Sequence, residues 1–599
     1  MAASKLTSLP TELLILTLSH LDTLSIFRCM LTCRLLNTTL SSSPYLRYLT
    51  QLQISGMWNN PSQQCGITIH DRLRMLKKRE RAWRTFDCHW VSSLEVPGSG
   101  HDGAEKWSGV YDLTPSVYLL GRAKDRVGDE RDVTQAIQGL RMPWGEAPTE
   151  VEWNEFNFGM QIIDFGTAIE EHDLLACVSY FQEENNSALN HFVVVLLRFS
   201  TKRTHDACDR SVISICCAPV SQGIPSVSIE IVGENLAVLC IFPEEGEGDQ
   251  DILPQDDRLY IFDWQMGKLK GGSLPVRNAG LTFLREDIVL NPNIDRGSLD
   301  VYHIPPSSDS LVNSRPTLVH SLLLPPLLPN RQIIRISCRA DPNPTSGGLF
   351  PKYTRKERPF AHNPEDAITI FTLAIQQLDE DGTEGSWKHF VMLVHRRALL
   401  EIVEDSIPRY PGTSKHTRVS PYTSWGPNIT RWFAENDFST GFITTTSGQR
   451  CVQYVSGSRN RRRGAAGESD GFEAMQGGEG ELDPPREPDT IEILDFNPWH
   501  VKLGRHMGGL VGVGDWLFGV VGGRNLLTPT SSMDEHPSNV LPRNNTFKNP
   551  VVGRLPYLVS ASEEKWDYDA VLLDEERVVG VRNQPDAYSN GTIDILYFG

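Results

Sequence analysis

Residues 233–240 read GENLAVLC, and residues 257–264 read DRLYIFDW. The first is an acidic turn running into an apolar strand. The second is a turn running into strand residues of alternating polarity, and the two together outline a β-hairpin. The same unit returns as EHDLLACV (171–178) with NHFVVVLL (190–197), as REDIVLN (285–291) with GSLDVYHI (297–304), and as DEERVVGV (574–581) with GTIDILYF (591–598). Its early copies are spaced by about 50–60 residues, with loops of variable length between the halves.

Tandem antiparallel hairpins of this kind are the sequence signature of propeller blades. A longer hairpin is expected over 366–396, turning at Asp381-Gly382. No long amphipathic helices alternate with the strands, which argues against a parallel α/β sheet. The expectation over 91–599 is therefore a β-propeller of about seven degenerate blades, at about 40–50 residues each plus loops. Its last strand, 591–598, is expected to close the ring on an early strand such as GVYDL (109–113), hiding two edges at once.

Residues 1–55 follow another period. LPTELLILTLSHL (9–21) places Leu13, Leu14, Ile15, Leu16, Leu18 and Leu21 within three turns, more than one core face can take. Pro10 suits a helix start, and Glu12 complements the dipole of the first turn. A second helical segment carries Leu24, Phe27 and Leu31 on one face with Ile26 and Met30 on another, and Ser43-Pro44 reads as the cap of a further helix. A bundle of roughly 50 residues sits near the size limit for a self-sufficient core, so its surplus leucines await a second surface.

The stretch LTSLPTELLILTLSHLDTLSIFRCMLTCRLLNTTLSSSPYLRYL resembles an F-box, the module that docks substrate receptors onto the Skp-type adaptor of cullin–RING ubiquitin ligases. Leu9-Pro10, Glu12-Leu13, Leu21-Asp22, Cys33-Arg34 and Ser43-Pro44 carry the match. The resemblance implies that Leu9, Pro10, Leu13, Leu16, Ile26, Cys33 and Leu36 contact the adaptor. Leu36 stands where many F-boxes have Trp, which keeps the site apolar without the aromatic ring.

Residues 56–90 form a linker with a basic amphipathic helix, DRLRMLKKRERAWRTF (71–86). Leu73, Leu76, Trp83 and Phe86 share roughly one side. Arg72, Arg74, Lys77, Lys78, Arg79, Arg81 and Arg84 occupy the rest, and the favoured reading keeps those charges solvated. A similar helix follows the F-box in a group of fungal F-box proteins. SGVYDLTPSVYLLG (108–121), WGPNITRW (425–432), TTTSGQRCV (444–452), LDFNP (494–498) and LLDEERVVGV (572–581) also resemble segments of that group.

Composition narrows the function. The chain has 599 residues, 39% hydrophobic and 22% charged, with a net charge of −18. That balance argues against general nucleic-acid binding through a basic surface. No apolar run approaches the ~20 residues of a membrane helix, and the eleven cysteines lack zinc-site spacing, so a cytoplasmic or nuclear protein without cofactor or metal is expected. GESDG (467–471) matches a nucleophile elbow in form only, because it lies in a Gly/Glu-rich segment, part of a 457–490 stretch with the composition of disorder. Trp425, Arg431 and Trp432 read as aromatic packing after a tight turn.

The function expected is that of a non-enzymatic substrate-recognition subunit of an SCF-type ligase. It would bind the Skp-type adaptor and cullin complex through the F-box, and an unidentified target protein through the propeller. The alternatives are a propeller scaffold whose helices only pack on it, with Leu9, Leu13 and Leu36 buried, and a propeller hydrolase with convergent carboxylates or a His–Asp pair at the channel mouth.

Overall fold

The computed structural model describes residues 6–62, 65–97, 105–124, 134–183, 186–243, 256–307, 315–378, 384–407, 417–434, 438, 444–455, 489–506, 540–541, 545–582 and 591–599. The expected turn at Asp381-Gly382, GESDG, and most of the 457–490 stretch lie outside them. The chain is a mainly β body preceded by helices, as the two periodicities require.

Helices α1 (Thr11–Leu18), α2 (Thr23–Thr32), α3 (Arg34–Ser42) and α4 (Pro44–Ser55) come first, followed by α5 (Ile69–Thr85). Their starts are set by local chemistry. Asp22 accepts from the Ser25 N–H at 3.0 Å, and Ser43 caps α4 with Pro44 in its first turn. Gly56, at φ 64°, ends α4 in the left-handed conformation. Leu14, Leu18, Ile26, Leu36, Leu40 and Leu46 form the internal cluster of this unit.

All four recurrent pairs are antiparallel hairpins. Asn235–Ile241 pairs with Arg258–Asp263, Leu174–Glu183 with Asn186–Arg198, Ile288–Asn293 with Ser298–His303, and Arg577–Arg582 with Thr592–Tyr597. The 366–396 hairpin is likewise present, as Ile368–Leu378 paired with Glu384–His395. The strands read as continuous apolar runs because both their faces are covered. Along Asn235–Ile241, Leu236, Val238 and Cys240 belong to one apolar cluster, while Ala237 and Leu239 belong to the next.

That two-sided burial orders the whole body. Six apolar clusters each join two antiparallel sheets, and a seventh fills the space between the two halves of the eight-stranded sheet that spans Glu105–Pro219. The long strand Trp153–Ala168 joins the two halves of that sheet. Its first part pairs with Thr134–Arg141 and its second with Leu174–Glu183, with Gly159 at φ 64° between them. The last cluster returns to the start: Val452, Ile491 and Ile493 pack on Tyr568, Val571 and Leu596, whose sheet packs through Leu572 and Ile595 on Tyr118 and Leu140. The sheets therefore follow one another in a cycle.

The C-terminal strand pairs with Trp90–Glu95, in register from Trp90↔Tyr597 to Glu95↔Thr592, and not with residues 109–113 as expected. Glu105–Leu113 is taken by Val117–Lys124 and opens the next sheet. WVSSLE alternates only between half-buried and exposed positions, so it lacks the apolar run that marks the other strands.

At one end of the cycle, residues 340–367 cross the turns of the other sheets. The Tyr353 and Ser346 N–H groups donate to Glu170 O (2.7 Å) and the Glu171 carboxylate (2.6 Å), and Gly347 N–H donates to Glu286 (2.9 Å). Gly448 N–H donates to Asp341 O at 2.8 Å, and Arg355 donates to Met142 O at 2.6 Å. Phe360–His362 in this crossing segment pairs with Met57–Asn59, directly after α4. The helical unit is seated on that same end.

Side chains of three sheets converge inside the cycle. Arg339 donates to Asp112 (2.8 Å) and Asp341 (2.6 Å), and Asn343 donates to Glu230 at 2.5 Å. Burial pushes the Asp164 carboxyl up to about 7, against the pull of the Phe165 N–H, and it pushes Glu230 up to about 7 against the attraction of Arg339. Both groups keep protons in the folded state that the unfolded chain releases near pH 4, so stability falls as pH rises from about 4 to about 7 and then levels off. Asp164→Asn and Glu230→Gln stay neutral throughout. Each is expected to raise the melting midpoint by a few degrees at pH 8 and to leave it nearly unchanged at pH 4.5, which thermal melts at the two pH values will check.

Candidate functional site

Helix α1 is apolar on two sides, and only one of them faces inward. Leu14 and Leu18 are 2% and 1% exposed, whereas Leu9, Leu13 and Leu16 are 36%, 49% and 56% exposed. The three exposed leucines follow one another at helical spacing, so they form a single outward ridge. Pro10 is also exposed, at the N-cap of this helix, and Cys33 is exposed in the extended residue between α2 and α3.

Ile26 and Leu36 lie elsewhere. At 1% and 6% exposed they belong to the internal cluster, unlike the other five of the seven residues for which the resemblance implies adaptor contact. The cause is the small size of the unit. With four short helices around one centre, each helix must give up one apolar face, and α2 and α3 give up these positions. Leu36 thus fills the interior, where the ring of a Trp would need more room.

Two further exposed leucines lie outside the set implied by the resemblance. Leu31, 87% exposed, ends α2, and Leu35, 48% exposed, begins α3, on either side of Cys33. Adjacent leucines at 35 and 36 lie about 100° apart around the helix, and periodicity alone does not say which one is inside. Exposed apolar sets of this kind are typical of interaction surfaces.

Helix α5 departs from the solvated picture. Arg72 and Arg79 are 8% and 1% exposed, because α5 is buried on two sides and not one. Leu73 and Leu76 pack on Tyr48 and Leu52 of α4, and Trp83 stacks on Phe598 with ring centroids 4.1 Å apart. Arg72 bonds Asn59 Oδ1 (2.8 Å) and Asn60 O (3.0 Å). Lys77, half-buried beside Arg47, is pushed down to about 8 by burial first and by that neighbouring charge second. Trp425, Arg431 and Trp432 are each 5% exposed, in keeping with packing.

Inside the cycle Asp112, Asp341 and Glu230 are tied to Arg339 and Asn343, Asp164 accepts the Phe165 N–H at 2.8 Å, and the His500–Asp495 pair (2.7 Å) is buried against Glu80 and Arg450. Among the described residues no group of three His, Cys, Asp or Glu side chains gathers as a metal ion would need, and all eleven cysteines are free. No described helix is long and apolar enough to cross a membrane.

The geometry defines a class: a small helical module, with an apolar outward face, mounted on a large β body. Residues 6–48 match the F-box domain family, so the chain is an F-box domain-containing protein. F-box domains in general bind the Skp-type adaptor in SCF complexes and mark subunits that recognise substrates. No curated protein matches the chain.

Proposed function

We propose that this protein is the substrate-recognition subunit of an SCF-type ubiquitin ligase, holding the Skp-type adaptor on the outward face of α1 and the α2–α3 corner. The observation that carries the reading is the exposed ridge of Leu9, Leu13 and Leu16 inside a segment that matches the F-box domain. The scaffold alternative requires Leu9, Leu13 and Leu36 to be buried; Leu36 is, inside the helical unit, whereas Leu9 and Leu13 are exposed. We read the cycle of sheets as a seven-bladed propeller closed by the pairing of Trp90–Glu95 with Thr592–Tyr597.

Residues 340–367 and the helices cover one end of this ring, so the target protein is taken at the other end. The protein performs no chemistry itself. It raises the local concentration of target lysines near the charged ubiquitin carrier. Co-purification with the adaptor and cullin supports the reading, provided it is lost when residues 6–48 are deleted. A complex that survives the deletion would place the docking surface on the β body and overturn it.

A further inference from the structure

We infer that a buried ion network locks the docking helices onto the β body in a single orientation, an inference that rests on the receptor reading above. The network is centred on the C-terminal half of α5. Arg79 donates to Glu80 (2.5 Å) and to Glu575 O (2.6 Å), and its Nη2 lies 3.0 Å from His362 Nε2. Glu80 accepts from Arg450 at 2.6 Å, and His500 Nε2 stands 3.6 Å from the same carboxylate. Glu575 accepts from the His362 N–H (2.8 Å) and pairs with Arg358 (2.8 Å), whose Nε also reaches Glu576 at 3.0 Å.

These charges come from α5, from the crossing segment, from the turn 573–577, from the sheet of Arg450–Val455, and from the helix Pro498–His506. The side chains of Arg79, Glu80, Arg358 and His500 are at most 2% exposed. Burial works against the charge on Glu80, yet Arg450 and Arg79 hold its carboxyl below the ordinary value. A buried charge that loses its partner is left uncompensated, so partial arrangements are penalised: the groups meet together or the seam opens. Geometry of this kind specifies one orientation, which a purely apolar seam could vary by sliding.

The seam continues into the docking module on three lines. Tyr48 of α4 packs on Leu76 of α5 and donates to Asn59 Oδ1 at 2.9 Å. Asn497 Nδ2 donates to Ile54 O, the last turn of α4, at 2.8 Å. Asn60 Nδ2 donates to Arg358 O at 2.6 Å, joining the chain after α4 to a member of the network. A rigid seam gives the receptor a fixed reach between adaptor and target, which selects the target lysines that can be modified.

The test is the distribution of distances between nitroxides carried by non-canonical residues at positions 31 and 387, both exposed, measured by electron–electron double resonance on the full chain. The expected result is one narrow distance for the parent and a distribution several times broader for Glu80→Gln, with near-ultraviolet circular dichroism of the β body retained. A broad distribution in the parent, or an equally narrow one in Glu80→Gln, overturns the inference. If Glu80→Gln loses its β signal, Asn60→Ala carries the test, because it removes seam bonds away from the sheets and should broaden the distance without altering the melt. Adaptor capture by unlabelled parent and variant is measured in parallel. Loss of capture by both proteins bears on the receptor reading, while the distance distribution bears on the lock alone.

Discussion

A Leu13→Asp/Leu16→Asp variant will fail to retain the Skp-type adaptor while melting like the parent. Both side chains are about half exposed, so neither substitution removes core packing, and stability should move by no more than about 0.5 kcal/mol for each. In the complex the same two leucines would be desolvated. Losing about 1.5 kcal/mol or more of apolar burial at each position weakens binding by at least about 100-fold, before the cost of burying two carboxylates is added. By contrast, Leu14→Asp, one residue along and 2% exposed, would unfold the helical unit. Thermal melts beside adaptor titrations separate the two outcomes. Tight binding by the 13/16 variant would move the interface off α1.

Removing residues 591–599 should unfold the β body and not merely fray one edge. Ile593, Ile595, Leu596, Tyr597 and Phe598 are all at most 4% exposed. At about 2 kcal/mol each their burial is worth about 10 kcal/mol, comparable with the whole stability of a typical domain. The deletion also strips Trp83 of its stacking partner Phe598 and leaves both Trp90–Glu95 and Arg577–Arg582 without a neighbour on that side. The result to look for is loss of the cooperative melt and a rise in proteolysis throughout the sheets. A truncated protein that keeps its melting midpoint within a few degrees would mean that the cycle of sheets does not depend on this closure.

The hairpins were legible because burial on both faces writes itself into the sequence: GENLAVLC has no solvent side, so it cannot look like a surface strand. The outward leucines of α1 were legible for the opposite reason, since nine residues carried more apolar side chains than a single core face can hold. Position 36 was harder. LeuLeu at 35–36 gives one residue to solvent and one to the core, and only packing against α1 and α4 decides which. The ion network was not legible at all. Arg79 and Glu575 are 496 residues apart, and a buried charge looks in sequence like any solvated one. DEER, at 574–577, has the pattern of a turn leading into a strand and forms one, but its Glu575, Glu576 and Arg577 are at most 5% exposed. The strand Trp90–Glu95 was hidden by its modest alternation and by the basic helix just before it.

The most direct measurement is hydrogen exchange of the intact protein with and without the purified Skp-type adaptor. The account predicts a stable complex with new protection concentrated in residues 9–18 and around 31–36, and unchanged exchange in the sheets. Absence of a complex, or protection confined to the β body, would contradict it.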